Sequence, residues 1–112
     1  MNTEYIPDKW IVVKIEGNEF PLTYKVFGCW YGGYLGSNSW KMNSGIRFVS
    51  EKKEYYLFEG YSGSIYKCFK ECYGTHMYGH GVLEDIIERS KKHGVTLEIM
   101  PENTAWLKLH YT

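Results

Sequence analysis

An excess of one charge is the first thing this sequence lacks. Thirteen Lys and Arg balance thirteen Asp and Glu over 112 residues. A protein that mainly grips a nucleic-acid duplex needs a cationic surplus. A chain kept unfolded by its own charge needs a surplus of either sign. Balanced charge argues against both. Long apolar runs are also missing: none reaches the roughly 18 residues of a membrane-spanning helix. The opening, Met1-Asn2-Thr3-Glu4-Tyr5, carries an acid early and no apolar stretch, so it does not read as a secretion signal. Cysteine is scarce, with only Cys29, Cys68 and Cys72. An odd, small count without a secretion signal reads as reduced thiols of a cytosol, and not as a disulfide scaffold. Two separate cores would hold about 56 residues each, near the lower limit for independent folding, so residues 1–112 are expected to form one domain.

Catalytic signatures are missing too. There is no G-x-S-x-G elbow and no G-x-x-x-x-G-K-[ST] loop. Most carboxylates fall on one charged helix or in charged turns, where a solvated face is the ordinary outcome. Cys68, Cys72, His76 and His80 follow one another at intervals of four. On one continuous helix this spacing makes a line, not the tetrahedron zinc requires. Free thiols and solvated histidines are the expected reading, with no metal. A two-histidine phosphoesterase needs two H-x-[ST] motifs. Only His110-Tyr111-Thr112 fits; His76-Met77-Tyr78 and His80-Gly81-Val82 do not. No catalytic residue and no cofactor is assigned.

What is abundant is aromatic and glycine: 11 Tyr, 4 Trp, 5 Phe and 12 Gly. Trp10–Ile15 and Leu22–Tyr31 read as two strands, with Gly17-Asn18 as a hairpin turn. In the second strand, alternation places Tyr24, Val26 and Gly28 on one face and Lys25, Phe27 and Cys29 on the other. Gly32–Gly45 reads as a long loop, of a length often tied to function. Ile46–Val49, Tyr55–Phe58 and Ser64–Lys70 read as strands, followed by a glycine-rich loop over Tyr73–Gly81. Val82–His93 has helical periodicity, with Val82, Leu83, Ile86, Ile87 and Ser90 on one face and Gly94 as its stop. Glu84 and Asp85 then lie toward the helix start. Val95–Ile99 and Ala105–Leu109 read as closing strands. The predicted class is α+β: a mainly antiparallel β-sheet with a single C-terminal-half helix packed on it. The pentapeptide G-Y-x-G-S occurs at Gly33–Ser37 and again at Gly60–Ser64, and both copies read as tight turns presenting a tyrosine.

The aromatic and glycine content suits a small planar ligand with a few negative charges. Bases stack on aromatic faces, and glycines let a phosphate approach the backbone. The loop over Tyr73–Gly81 runs into a helix start, where free N–H groups attract anions.

Three segments carry a resemblance. They are Tyr5–Ile15, Trp30–Lys41 with Asn43–Ile46, and Gly60–Cys68, within residues 5–81. They resemble small proteins of T-even-type phages and cyanophages. Such proteins include sponges that sequester host immune signals, and the chain is similar to an anti-CBASS sponge. That resemblance implies a phage-encoded, non-enzymatic binder that sequesters a cyclic oligonucleotide in counter-defence. The resemblance brings no binding residue with it; the stacking argument supplies them. Trp30, Tyr31, Tyr34, Trp40, Tyr61 and Tyr66 are expected to hold bases. Lys41, Arg47, Lys67 and His76 are expected to hold phosphates. Such a site often lies between subunits, so a homo-oligomer is expected, with a small cyclic nucleotide as ligand and no membrane or long nucleic acid as partner. Two other functions fit the composition. One is a protein-binding inhibitor or adaptor using the Tyr/Trp/Gly surface. The other is a nucleotide phosphodiesterase using His76, His80 or His110.

Overall fold

The computed structural model describes residues 3–32 and 38–111. Its strands are β1 (Glu4–Tyr5), β2 (Lys9–Gly17), β3 (Phe20–Trp30), β4 (Ser39–Met42), β5 (Ile46–Glu51), β6 (Tyr55–Gly60), β7 (Ile65–Phe69) and β8 (Val95–Ile99). The helix α1 (Met77–Lys92) lies between β7 and β8, in the C-terminal half. Two four-stranded sheets form, in the orders β1-β7-β6-β5 and β4-β3-β2-β8. Every pairing of named strands is antiparallel except β1 with β7. The class is α+β, as expected, with the strands divided between two sheets.

Strand β2 explains the layering. Trp10, Ile11, Val12 and Val13 are all buried, so both faces of this strand are covered. Alternation divides them. Trp10 and Val12, with Tyr24 and Val26 of β3, meet Phe58, Tyr66 and Cys68 of the other sheet. Ile11 and Val13, with Phe27 and Cys29, meet Leu83 of α1. The result is three layers: sheet, sheet, helix. Both faces of β3 agree with the sequence reading. The helix face also agrees, since Val82, Ile86 and Ile87 pack beside Leu83.

Three expectations are corrected. The helix begins at Met77, five residues before Val82, and runs through Gly79 and Gly81. Gly79 has a steric task there. A Cβ on it would lie 2.3 Å from Cys29 Sγ, so only glycine lets the helix rest on β3. Glu84 and Asp85 therefore fall beyond the first turn, which contains no acid. Second, residues 105–109 do not extend as a strand. Trp106–Lys108 form a 3-10 turn, and Trp106, 2% exposed, plugs the space between the sheets. Third, the segment read as the loop Gly32–Gly45 holds the short edge strand β4. After it the chain passes from one sheet to the other through Asn43. Its buried Oδ1 accepts from Val26 N at 2.9 Å and Gly45 N at 3.2 Å. Gly45 takes φ +127°, a value that favours glycine. Strand β1 was not anticipated; two residues are too few to show a period.

Candidate functional site

The end of the β3–β4 pair gathers five of the ten expected ligand residues: Trp30, Tyr31, Trp40, Lys41 and His76. Register and alternation divide them between two faces. Trp30 pairs with Ser39, and Gly28 with Lys41, on the side toward the other sheet. There Trp30, Ser39, Lys41 and Tyr5 of β1, with Trp40 reaching it from the other face of the strand pair, line a cleft of about 300 Å³. Trp30 is fixed by its Nε1–H, which donates to the Ile6 carbonyl at 3.0 Å. The Tyr5 ring meets Trp30 edge to face at 6.3 Å, and the Lys41 ammonium lies 4.9 Å from the centre of the Tyr5 ring. One cation and two rings thus converge at one opening.

The opposite face carries Tyr31, Trp40 and His76. The Trp40 ring stacks on Phe27 at 5.4 Å with 19° between planes, yet stays 40% exposed. Tyr31 is held by its backbone N–H, which donates to Asp8 Oδ2 at 2.7 Å. Its exposed ring lies 4.3 Å from the His76 ring. Burial, followed by the nearby Asp8 carboxylate, pushes the Tyr31 phenol above its ordinary range.

His76 takes a role not foreseen for it. Its Nδ1 accepts from Gly79 N at 3.3 Å and so caps α1. That bond requires a lone pair on Nδ1, so in the capped state the ring proton is on Nε2. Nε2 is buried and has no partner among the described residues. The helix N-terminus is thus capped by the chain's own imidazole, which competes with an outside anion for the Gly79 N–H.

The remaining expected residues do not join this end. Tyr66 is 1% exposed, packed against Tyr5 at 5.1 Å. Burial pushes its phenol up to about 12. It is a core ring: β7 alternation turns it inward, and no base can stack on it. Lys67 therefore points outward from the same strand, lying over the Tyr55 and Phe69 rings at 4.4 and 5.4 Å. Arg47 lies over its neighbour Phe48 on the edge strand β5. Tyr61 sits in the turn after β6 and covers Gly45, with its ring 2.9 Å from where a Cβ would stand. Tyr34 and the whole first G-Y-x-G-S copy lie outside the described residues. The second copy is a tight turn, closed by Gly60 N donating to Ser64 O at 2.9 Å.

Tyr5 is the residue that sequence reasoning missed. Its only signal was a place in the segment Tyr5–Ile15; its position beside Trp30 depends on the parallel pairing of β1 with β7.

The thiols and histidines are dispersed. Cys29 and Cys68 are buried, and burial pushes Cys29 up to about 11 and raises Cys68 well above the ordinary thiol range. A protonated, inaccessible thiol is a poor nucleophile. Cys72 follows β7 in a 3-10 turn, Lys70–Cys72, so it does not share a strand with Cys68. His80 faces solvent and lies 3.0 Å from Glu84. No group of three or more potential metal ligands gathers among the described residues. No helix of the described residues is long and apolar enough to cross a membrane. Compared with protein-family models, curated proteins and solved structures, the chain gives no significant match.

Proposed function

We propose that this protein binds a small cyclic oligonucleotide and holds it without cleaving it. In the phage setting that the resemblance implies, this is sequestration of a host immune signal. The observation that carries the reading is the convergence at the end of the β3–β4 pair. Tyr5, Trp30 and the Lys41 ammonium meet in one cleft, while Tyr31 and Trp40 present rings on the other side of the same strand pair. A stacked base contributes about 1–3 kcal/mol, and one ammonium beside it neutralises a phosphate. Two aromatic half-sites divided by one strand pair suit a ligand with more than one base. The non-hydrolytic part is supported by the burial of Cys29 and Cys68 and by a His76 lone pair already committed to the helix cap.

The test is a thermal-shift panel of cyclic di- and trinucleotides on the full chain. Preferential binding to the folded state raises Tm with ligand concentration. Lys41→Ala and Trp30→Phe are expected to reduce the shift while leaving the unliganded fold intact. No shift with any member of the panel overturns the reading.

One observation favours a protein-binding function instead. Phe48 is 55% exposed on the edge strand β5, and outward-facing Tyr55, Leu57 and Phe69 are only half-buried. Arg47→Ala separates the two functions. Loss of a captured host protein with nucleotide retention unchanged supports protein binding; the nucleotide reading expects Trp30 and Lys41, and not Arg47, to control retention.

A further inference from the structure

The three layers leave one broad face open. The helix packs on the far side of the sheet β4-β3-β2-β8, and the sheet β1-β7-β6-β5 turns only its inner face to the core. Tyr56 and Phe58 of β6, Tyr66 and Cys68 of β7, and Val49 of β5 point inward. Strand alternation therefore sends Phe48, Tyr55, Leu57, Ile65 and Phe69 outward. None of these five is fully buried, and Phe48 is 55% exposed. A sheet face that meets water ordinarily carries polar residues at such positions. Large apolar side chains on three neighbouring strands mark a contact surface instead.

Pairing register orders this face into rows across the strands. Glu4, Ile65, Glu59 and Phe48 form the first row. Lys67, Leu57 and Ser50 form the second, and Phe69 and Tyr55 the third. The Lys67 ammonium leans toward the third row, 4.4 Å from the Tyr55 ring centre and 5.4 Å from that of Phe69. One end of the face thus holds two carboxylates and the other an ammonium, with Leu57 between them. Neither Glu59 nor Lys67 has an ion-pair partner among the described residues.

Such a face complements itself. Contact across a twofold axis requires one patch to fit its own copy. Turning a second copy over about an axis through the middle row exchanges the two ends. Leu57 then meets the partner's Leu57, and Phe69 meets the partner's Ile65. Tyr55, with the Lys67 ammonium beside it, meets the partner's Glu59. Apolar groups oppose apolar groups, and each ammonium opposes a carboxylate. Lys67 keeps its place over the two rings.

We infer that the outer face of β1-β7-β6-β5 is a homodimer interface, occupied by a second copy of this chain, with Lys67 of each copy paired to the partner's Glu59. No residue of the β3–β4 cleft lies on this face, so nucleotide binding and dimerisation can each fail alone. A single sheet face is a modest area, so a concentration-dependent dimer with Kd on the order of 10 µM is expected.

The test is analytical ultracentrifugation of the purified full chain up to about 100 µM, where such a dimer is mostly formed. Phe48→Ser removes an exposed ring and is expected to weaken association about tenfold, with the circular dichroism spectrum unchanged. Lys67→Glu alone and Glu59→Lys alone set like charges against each other and are expected to sediment as monomers. An equal mixture of these two variants places opposite charges at both contacts of the mixed dimer and is expected to associate again. Misfolding of either variant does not produce that recovery. A monomer at about 100 µM, a dimer indifferent to Phe48→Ser, or a mixture no more associated than its components overturns the proposal. So does a monomeric chain that captures a host protein through Phe48, which supports the protein-binding function instead.

Discussion

Single side chains fix the geometry on which the rest depends. Asn43 stands where the chain crosses between sheets, and its buried Oδ1 serves two backbone N–H groups. Replacing it with Ala leaves those donors buried and unpaired. Asn43→Ala is expected to cost about 1–3 kcal/mol in chemical denaturation. Gly79 is the second such position. Gly79→Ala drives a methyl into Cys29 Sγ and is expected to lose about 1–3 kcal/mol as helix and strand separate. Because the two groups touch, Cys29→Gly should recover part of the Gly79→Ala loss, and the double-mutant cycle should be non-additive. Additive losses would show that the contact is not the cause. Neither role was legible in sequence. Asn43 sat in what read as a loop, and Gly79 looked like a helix breaker until its neighbour Cys29 was placed beside it.

At the scale of elements, strands with a clear period were legible and short or tertiary elements were not. Trp10–Ile15 and Leu22–Tyr31 are β-branched and aromatic, and β2 and β3 form there, β3 with the expected faces. Strand β8 and the helix face were legible for the same reason. The first turn of α1 was hidden because Gly79 and Gly81 argue locally for a loop, while packing on Cys29 and the His76 cap favour a helix. His76→Ala removes that cap and is expected to cost about 0.5–2 kcal/mol, with amide exchange faster in the first turn of α1 than in its centre. Ala105–Leu109 alternates like a strand, but Trp106 is held by Trp10, Phe58 and Tyr73 from both sheets and the helix approach. Trp106→Ala is expected to destabilise by about 3–5 kcal/mol, the usual cost of emptying a large aromatic site. The candidate site shows the same division. Trp30, Tyr31, Trp40 and Lys41 are close in sequence and meet at one strand end, whereas Tyr5 enters only through the pairing of β1 with β7. Tyr66 was misplaced because strand alternation shows which residues share a face but not which face is buried.

The whole molecule carries its stability in an aromatic interior, and this has a consequence for pH. Burial holds the Tyr66 and Tyr73 phenols at about 12, against about 10 when unfolded. Below pH 10 both states keep these protons and stability is full. Between about pH 10 and 12 the unfolded chain releases them first, so stability falls as pH rises. Urea melts at increasing pH should show this decline, and Tyr66→Phe should make it shallower. The function proposed for the molecule is likewise collective: rings and a cation from β1, β3 and β4 are brought to one end by the pairing of two sheets. The most direct test incubates the full chain with a near-stoichiometric cyclic dinucleotide, removes free ligand, denatures the protein by heat and chromatographs what is released. The account predicts retained ligand, released intact, with retention lost in Lys41→Ala. Release of a cleaved product, or no retention of any cyclic di- or trinucleotide, would contradict it.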